Sequence, residues 1–140
     1  MEKIILEGKV VVPGKAQGVA LVANEPISFW GGYDQKTGEI IDRRHILSGQ
    51  IAKDKVLAIP FSRGSSTTTA VLLDAIRAKT APAAIITTDT DFFFALASVV
   101  ADELFSSPLS LVTLSKNDFA KLQTGDEIQV TGDGKVIVSR

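Results

Sequence analysis

The 140-residue sequence contains no cysteine. That excludes disulfides and any thiolate-held zinc or iron–sulfur site within the chain. One histidine and scattered carboxylates also argue against a self-contained transition-metal site. An excess of positive charge is missing too: the formal net charge is −1, so nothing points to a nucleic-acid or anionic-membrane surface. The longest largely apolar run, Phe92 to Ala101, is about half of the ~20 residues that a membrane span needs. Met1-Glu2-Lys3-Ile4 lacks the charged start, apolar stretch and small-residue cleavage site of a signal peptide. Repeats, low-complexity tracts and Pro/Gly/Ser-rich linkers are absent as well. These absences predict a soluble cytoplasmic protein with neither nucleic acid nor membrane as partner.

What is present is an ordinary globular composition. Apolar residues make up 45% of the chain, enough to build a core in one domain over residues 1–140. The first third reads as β: Ile4 to Val12, closed by Pro13-Gly14, then Val19 to Ala23, entered through Gly18. Asn24-Glu25-Pro26 is a turn, and Ile40-Ile41 begins a short strand. From Lys55 the pattern alternates. Lys55–Pro60, Ala83–Thr87 and Leu109–Leu114 are short apolar runs suited to buried parallel strands. Between them lie two helical stretches: one from Ala70 to Lys79, the other from Phe92 to Leu104 behind the capping oxygens of Thr88-Asp89-Thr90-Asp91. The second is apolar on most sides and is expected to be largely buried. Ser115 to Asp118 can cap a short helix, and residues 127–130 and 136–139 pair through Gly132-Asp133-Gly134. The fold class is α/β: one β/β/α domain with a parallel middle sheet.

In such sheets ligands sit beyond the carboxyl ends of the strands. Pro60 to Thr69 occupies that place, between a buried strand and a helix. Gly64 permits close backbone approach or a positive φ. Ser65, Ser66 and Thr67 begin the helix, where free amides and the dipole favour negative charge, and Arg63 adds a fixed cation. The set suits a carboxylate or phosphate; it also suits a serine oxyanion, which would make Ser65 a stronger base than free serine. The Walker spacing is missing, and so is the Gly-x-Ser-x-Gly elbow. The plainer reading of the same residues is a capped helix.

Several stretches, in order, resemble the small subunit of aconitase X, the family that includes the small subunits of phosphomevalonate dehydratase and cis-3-hydroxy-L-proline dehydratase. They are Gly14-Lys15-Ala16 through Gly18-Val19-Ala20-Leu21-Val22; Glu25 to Gly32 with Asp34, Thr37-Gly38 and Ile41-Asp42; His45, Leu47 and Gly49; Pro60 with Arg63-Gly64-Ser65-Ser66; Ala81 to Ile86; and Gly125-Asp126. The resemblance covers essentially the whole chain. It departs at Ile46, where proline is expected, at Ser62, where another glycine usually opens the loop, and at Thr67-Thr68-Thr69, which replaces a glycine- and serine-richer continuation.

The resemblance implies a swivelling β/β/α domain like the mobile domain of aconitases, partnered by an aconitase X large subunit. It places the catalytic serine on Ser65, with Arg63, Gly64, Ser66 and Thr67 binding a small hydroxy-acid substrate. No cofactor or metal is expected in this chain; an iron or iron–sulfur cluster is expected in the large subunit, acting as Lewis acid on the departing hydroxyl. The isolated chain is accordingly expected to be inactive. Phe61-Ser62-Arg63 differs from the glycine- and lysine-containing loop of the phosphomevalonate members, which leans the substrate towards cis-3-hydroxy-L-proline, with mevalonate 5-phosphate the alternative. A reading of another class is a non-catalytic anion-binding or regulatory partner subunit.

Other residues carry two readings each. His45 is a substrate contact or a loop histidine held by backbone, the second favoured. Asp89 and Asp91 orient Arg63 or cap a helix, capping favoured. Of Phe92-Phe93-Phe94 and Trp30, at least one phenylalanine is left over for a partner, because three in succession cannot face one way. Gly31-Gly32 is a turn or a substrate-facing loop. Asp42 with Arg43-Arg44 is a solvated pair or an interface.

Overall fold

The computed structural model describes residues 2–63 and 66–140. Its strands are β1 (Lys3–Glu7), β2 (Lys9–Val12), β3 (Ala16–Val22), β4 (Val56–Ala58), β5 (Ala84–Thr87), β6 (Ser110–Thr113), β7 (Glu127–Val130) and β8 (Lys135–Ser139). Its helices are α2 (Ser66–Ala78), α3 (Phe92–Phe105) and the single turns α1 (Phe29–Gly32) and α4 (Lys116–Phe119). Turn α1 is broken by non-helical backbone at Trp30 and Gly31.

The strands form one sheet in the order β1-β8-β7-β3-β4-β5-β6-β2. Strands β3, β4, β5 and β6 run parallel, as the alternating pattern predicts. The β1, β8, β7 and β3 pairs are antiparallel. Strand β3 serves both halves: Ala16–Val19 pair with β7, and Ala20–Val22 pair with β4. The first and last strands of the order, β1 and β2, are separated in the chain only by Gly8. The sheet therefore curls until its two ends meet. Gly8 is where it closes: its amide donates to the Gly134 carbonyl at 3.0 Å, and a Cβ there would lie 2.5 Å from that oxygen.

Period-two alternation feeds two cores from the same strands. Leu57, Ile85 and Leu111 join the core beneath α2 and α3. Their neighbours Val56, Ala58, Ala84, Ile86 and Val112 face into the curled sheet, against Leu6, Ile128, Val130, Val136 and Val138. Phe119 and Leu122 belong to that inner core as well. The curled sheet supplies two β layers and the helices a third, which is the expected β/β/α architecture.

Four sequence expectations change. The strand expected over Ile4 to Val12 is two strands, β1 and β2, because the chain crosses at Gly8 from one end of the sheet order to the other. Gly18 lies inside β3 instead of before it, at a point where a Cβ would come within 2.7 Å of the Asp54 carbonyl. Ile40 forms only an isolated bridge to Tyr33. The largest difference is in α3, expected to be mostly buried. It buries Phe94, Ala97, Ser98 and Ala101 but exposes Phe92, Leu96, Val99 and Leu104. The reason is architectural: α3 packs on α2 and the sheet, and among the described residues no further layer covers its outer face.

Candidate active-site loop

Strand β4 ends at Ala58, and the chain leaves the sheet along a path fixed by backbone bonds. The Ile59 amide donates to Ile86 at 3.0 Å, and the Pro60 carbonyl accepts from Thr88 at 3.1 Å. Ser62 forms a parallel bridge with Ile27, and the Arg63 amide donates to the Ile27 carbonyl at 2.9 Å. The loop is thus held between the segments that follow β3 and β5, at the carboxyl ends of the parallel strands.

One carboxylate organises this end of the sheet. Asp91 is 7% exposed. Its Oδ2 accepts from both the amide and the hydroxyl of Ser62, each at 2.7 Å. Its Oδ1 accepts from the amides of Phe93 and Phe94 at 3.0 and 3.1 Å, capping α3. Four donors converge on one buried side chain, and no lone-pair direction is wasted. A second link runs from the Thr69 hydroxyl to the Phe93 carbonyl at 2.9 Å. The first turn of α2 and the first turn of α3 are therefore tied together.

Arg63 is exposed and, among the described residues, forms no ion pair. Ser66 and Thr67 are exposed at the start of α2. Gly64 and Ser65, the centre of the predicted site, lie outside the described residues. Thr68, next along the helix, is buried, and its hydroxyl has no hydrogen-bond partner among the described residues. On the other side of the loop opens a cleft of about 740 Å³, lined by Val22, Asn24, Pro60, Phe61, Thr88 and Lys116 among others. It sits over the inner core, with Phe119 and Leu122 in its wall.

The other candidates resolve as follows. Asp91 does cap a helix, but its second oxygen holds Ser62, and neither it nor Asp89 pairs with Arg63. The Ser62–Asp91 link escapes sequence reasoning because 29 residues separate the two; the only signal is a serine in place of the expected glycine. His45 is buried, its Nδ1 accepting from the Leu47 amide at 3.1 Å and its Nε2 lying 3.2 Å from the Glu25 carbonyl. Both ring nitrogens are thus engaged by the backbone, and the imidazole braces a loop. Ile46, at the position of an expected proline, donates its amide to Glu25 Oε1 at 2.8 Å, a bond proline cannot make. Phe94 packs edge-on against Phe29, whereas Phe92 and Trp30 are exposed. The Asp42 carboxylate accepts from the Arg44 amide in a local turn, and Gly31 adopts a positive φ of 78° in open space.

Fold and site together define a β/β/α domain with an exposed cation, Arg63, at the carboxyl ends of its parallel strands. A family model described as the aconitase X swivel domain matches residues 5–139. The chain belongs to that family. The cis-3-hydroxy-L-proline dehydratase of Hypocrea jecorina is 37% identical over 126 residues, 90% of this chain and 21% of that protein. The phosphomevalonate dehydratase small subunit of Methanosarcina acetivorans is 34% identical over 133 residues, 94% of this chain and 88% of that subunit. A crystal structure of Thermococcus kodakaraensis aconitase X in its holo form superposes with a TM-score of 0.86 at 30% identity, covering 98% of this chain and 99% of that one. The chain spans about a fifth of the length of the Hypocrea relative.

Proposed function

We propose that this chain is the small subunit of an aconitase X-type dehydratase and that it contributes Ser65 as a proton acceptor. The observation that supports the reading is where the described neighbours of Ser65 stand: Arg63 follows the carboxyl end of β4 and Ser66 opens α2, and among the described residues the Arg63 guanidinium forms no ion pair. Helix-start amides and a cation favour the charged form of a hydroxyl. Ser65 would take the proton from the carbon next to the substrate carboxylate; that electron pair forms the double bond as hydroxide leaves the adjacent carbon. Gly64, Ser66 and Thr67 would hold the substrate, and Arg63 would stabilise the charge on the serine oxygen.

The residues of this chain do not fit an iron centre. There is no cysteine, and among the described residues no group of three or more His, Asp or Glu stands together. The group that assists the departing hydroxyl would then sit in a large subunit, where the resemblance places an iron or iron–sulfur centre. The substrate proposed is cis-3-hydroxy-L-proline, supported by the Hypocrea relative and by the Phe61-Ser62-Arg63 loop. Mevalonate 5-phosphate is the second reading, favoured by the Methanosarcina small subunit, most of whose length this chain spans.

The test is co-expression with a cysteine-containing large subunit encoded nearby, followed by turnover of both compounds. Ser65→Ala should abolish turnover and leave assembly intact. Full activity in that variant would remove Ser65 from the chemistry. Anion binding by a chain that never joins a larger subunit would favour the non-catalytic module.

A further inference from the structure

We propose that Asp91 and Ser62 are positioning residues: the Asp91 carboxylate pins the serine-bearing loop to the start of α3 and so sets where the proton acceptor stands. This rests on the reading of Ser65 as that acceptor. Three observations carry it. Asp91 Oδ2 binds the amide and the hydroxyl of Ser62, three residues before Ser65. On the far side, Thr69 Oγ1 is bonded to Phe93. Both anchors of the segment therefore end on residues 91–93, one turn of one helix. Finally, the carboxylate is buried, so water cannot readily substitute for either partner.

A cap alone does not need this arrangement. Capping α3 occupies only Oδ1, through Phe93 and Phe94. Oδ2 is committed wholly to Ser62. The hydroxyl that completes this pair is present because Ser62 stands where the resemblance expects glycine; a glycine would offer the amide only. The extra bond matters because a displacement of about 1 Å at a reacting group can cost roughly 100-fold in rate.

Asp91→Asn separates the two roles. An asparagine with its carbonyl oxygen on the helix cap turns its NH₂ towards Ser62, where it can donate to the hydroxyl oxygen but faces the Ser62 amide donor to donor, so the cap survives and the loop anchor is weakened. Ser62→Ala removes only the hydroxyl bond. Each variant is measured in the full chain assembled with its large subunit, using whichever of cis-3-hydroxy-L-proline and mevalonate 5-phosphate the wild-type complex turns over. Asp91→Asn should lower kcat by about 10- to 100-fold with KM changed less than about threefold, and Ser62→Ala should lower it less. In parallel, amide hydrogen exchange of the full chain should quicken at Ser62 by about tenfold or more in Asp91→Asn, while Phe94 and Ile86 keep their protection.

Wild-type kcat in Asp91→Asn, alongside a dead Ser65→Ala, would overturn the positioning role and leave the base intact. An active Ser65→Ala would instead overturn the reading beneath it. Unchanged exchange at Ser62 in Asp91→Asn would overturn the anchor itself, and that measurement needs no substrate.

Discussion

Ser98 and Leu109 are bonded to each other twice: the Ser98 hydroxyl donates to the Leu109 carbonyl at 2.6 Å and accepts from the Leu109 amide at 2.7 Å. A side chain in the middle of α3 thereby satisfies both backbone groups of the residue that leads into β6. Ser98 is fully buried, so nothing else is available to do so. Ser98→Ala strands a buried donor and a buried acceptor, each worth about 1–3 kcal/mol when unpaired. The expected loss is about 2–4 kcal/mol, read as a lower denaturant midpoint at unchanged slope. A loss below about 0.5 kcal/mol would mean that the backbone of Leu109 finds other partners.

Tyr33 supplies a pH signature. It is the only tyrosine in the chain. Its hydroxyl donates to the Thr80 carbonyl at 2.7 Å, and its ring stacks on Phe29 at 4.9 Å. Burial, and secondarily the charge of Asp54, push its pKa well above the ordinary phenol value. The sign follows from linkage: a raised pKa means the unfolded chain releases the proton first. The stability is fully present below about pH 10 and is lost as pH rises beyond it. Tyr33→Phe should cost about 1–2 kcal/mol at neutral pH and flatten the alkaline decline. Phenolate absorbance during alkaline titration reports on this one side chain. A phenol that ionises near pH 10 in the folded chain would contradict its burial.

The strands and helices were readable because the core needs period-two and period-3.6 patterns that local sequence displays. Val56, Leu57 and Ala58 show the limit of that reading. Their uninterrupted burial announces a strand covered on both faces, but not that one cover is another part of the same sheet. That closure depends on Gly8 meeting Gly134, a contact 126 residues apart in the chain. The outer face of α3 was misread for a related reason: apolarity all round a helix predicts burial only when something covers every side, and among the described residues only one side is covered. At the candidate site, the strand–loop–helix order was legible. The partners of Asp91 were not, because a cap and a loop anchor look identical when only the sequence around Asp91 is read.

His45 separates scaffold from chemistry. Its two ring nitrogens are engaged with Leu47 and Glu25, and the loop it braces also carries the Ile46–Glu25 bond. His45→Ala removes both links and opens a buried gap. The expected cost is about 2–4 kcal/mol in unfolding free energy. With the protein held below its new transition, kcat of the assembled complex should change by less than about threefold. A drop of about 100-fold at full assembly would instead assign the imidazole to the reaction.

Arg63 distinguishes the two jobs that its loop could perform. Its side chain is exposed and, among the described residues, has no ion-pair partner, so it contributes little to the fold. Arg63→Met should accordingly leave the unfolding midpoint within the scatter of surface substitutions, about 0.5 kcal/mol. Its effect on the complex depends on what the guanidinium meets. If it holds the substrate's anionic group equally in ground and transition states, KM rises and kcat stays. If it stabilises charge on the serine oxygen, kcat falls with KM nearly unchanged, by about 100-fold as for other donors aimed at developing charge. The second outcome is expected, because the cation lies two residues from Ser65 at a helix start that already favours anions. Arg63→Lys should recover part of the loss, since the charge is kept while the planar fork is not. A rise in KM alone would make Arg63 a substrate anchor and leave the helix amides to activate the serine.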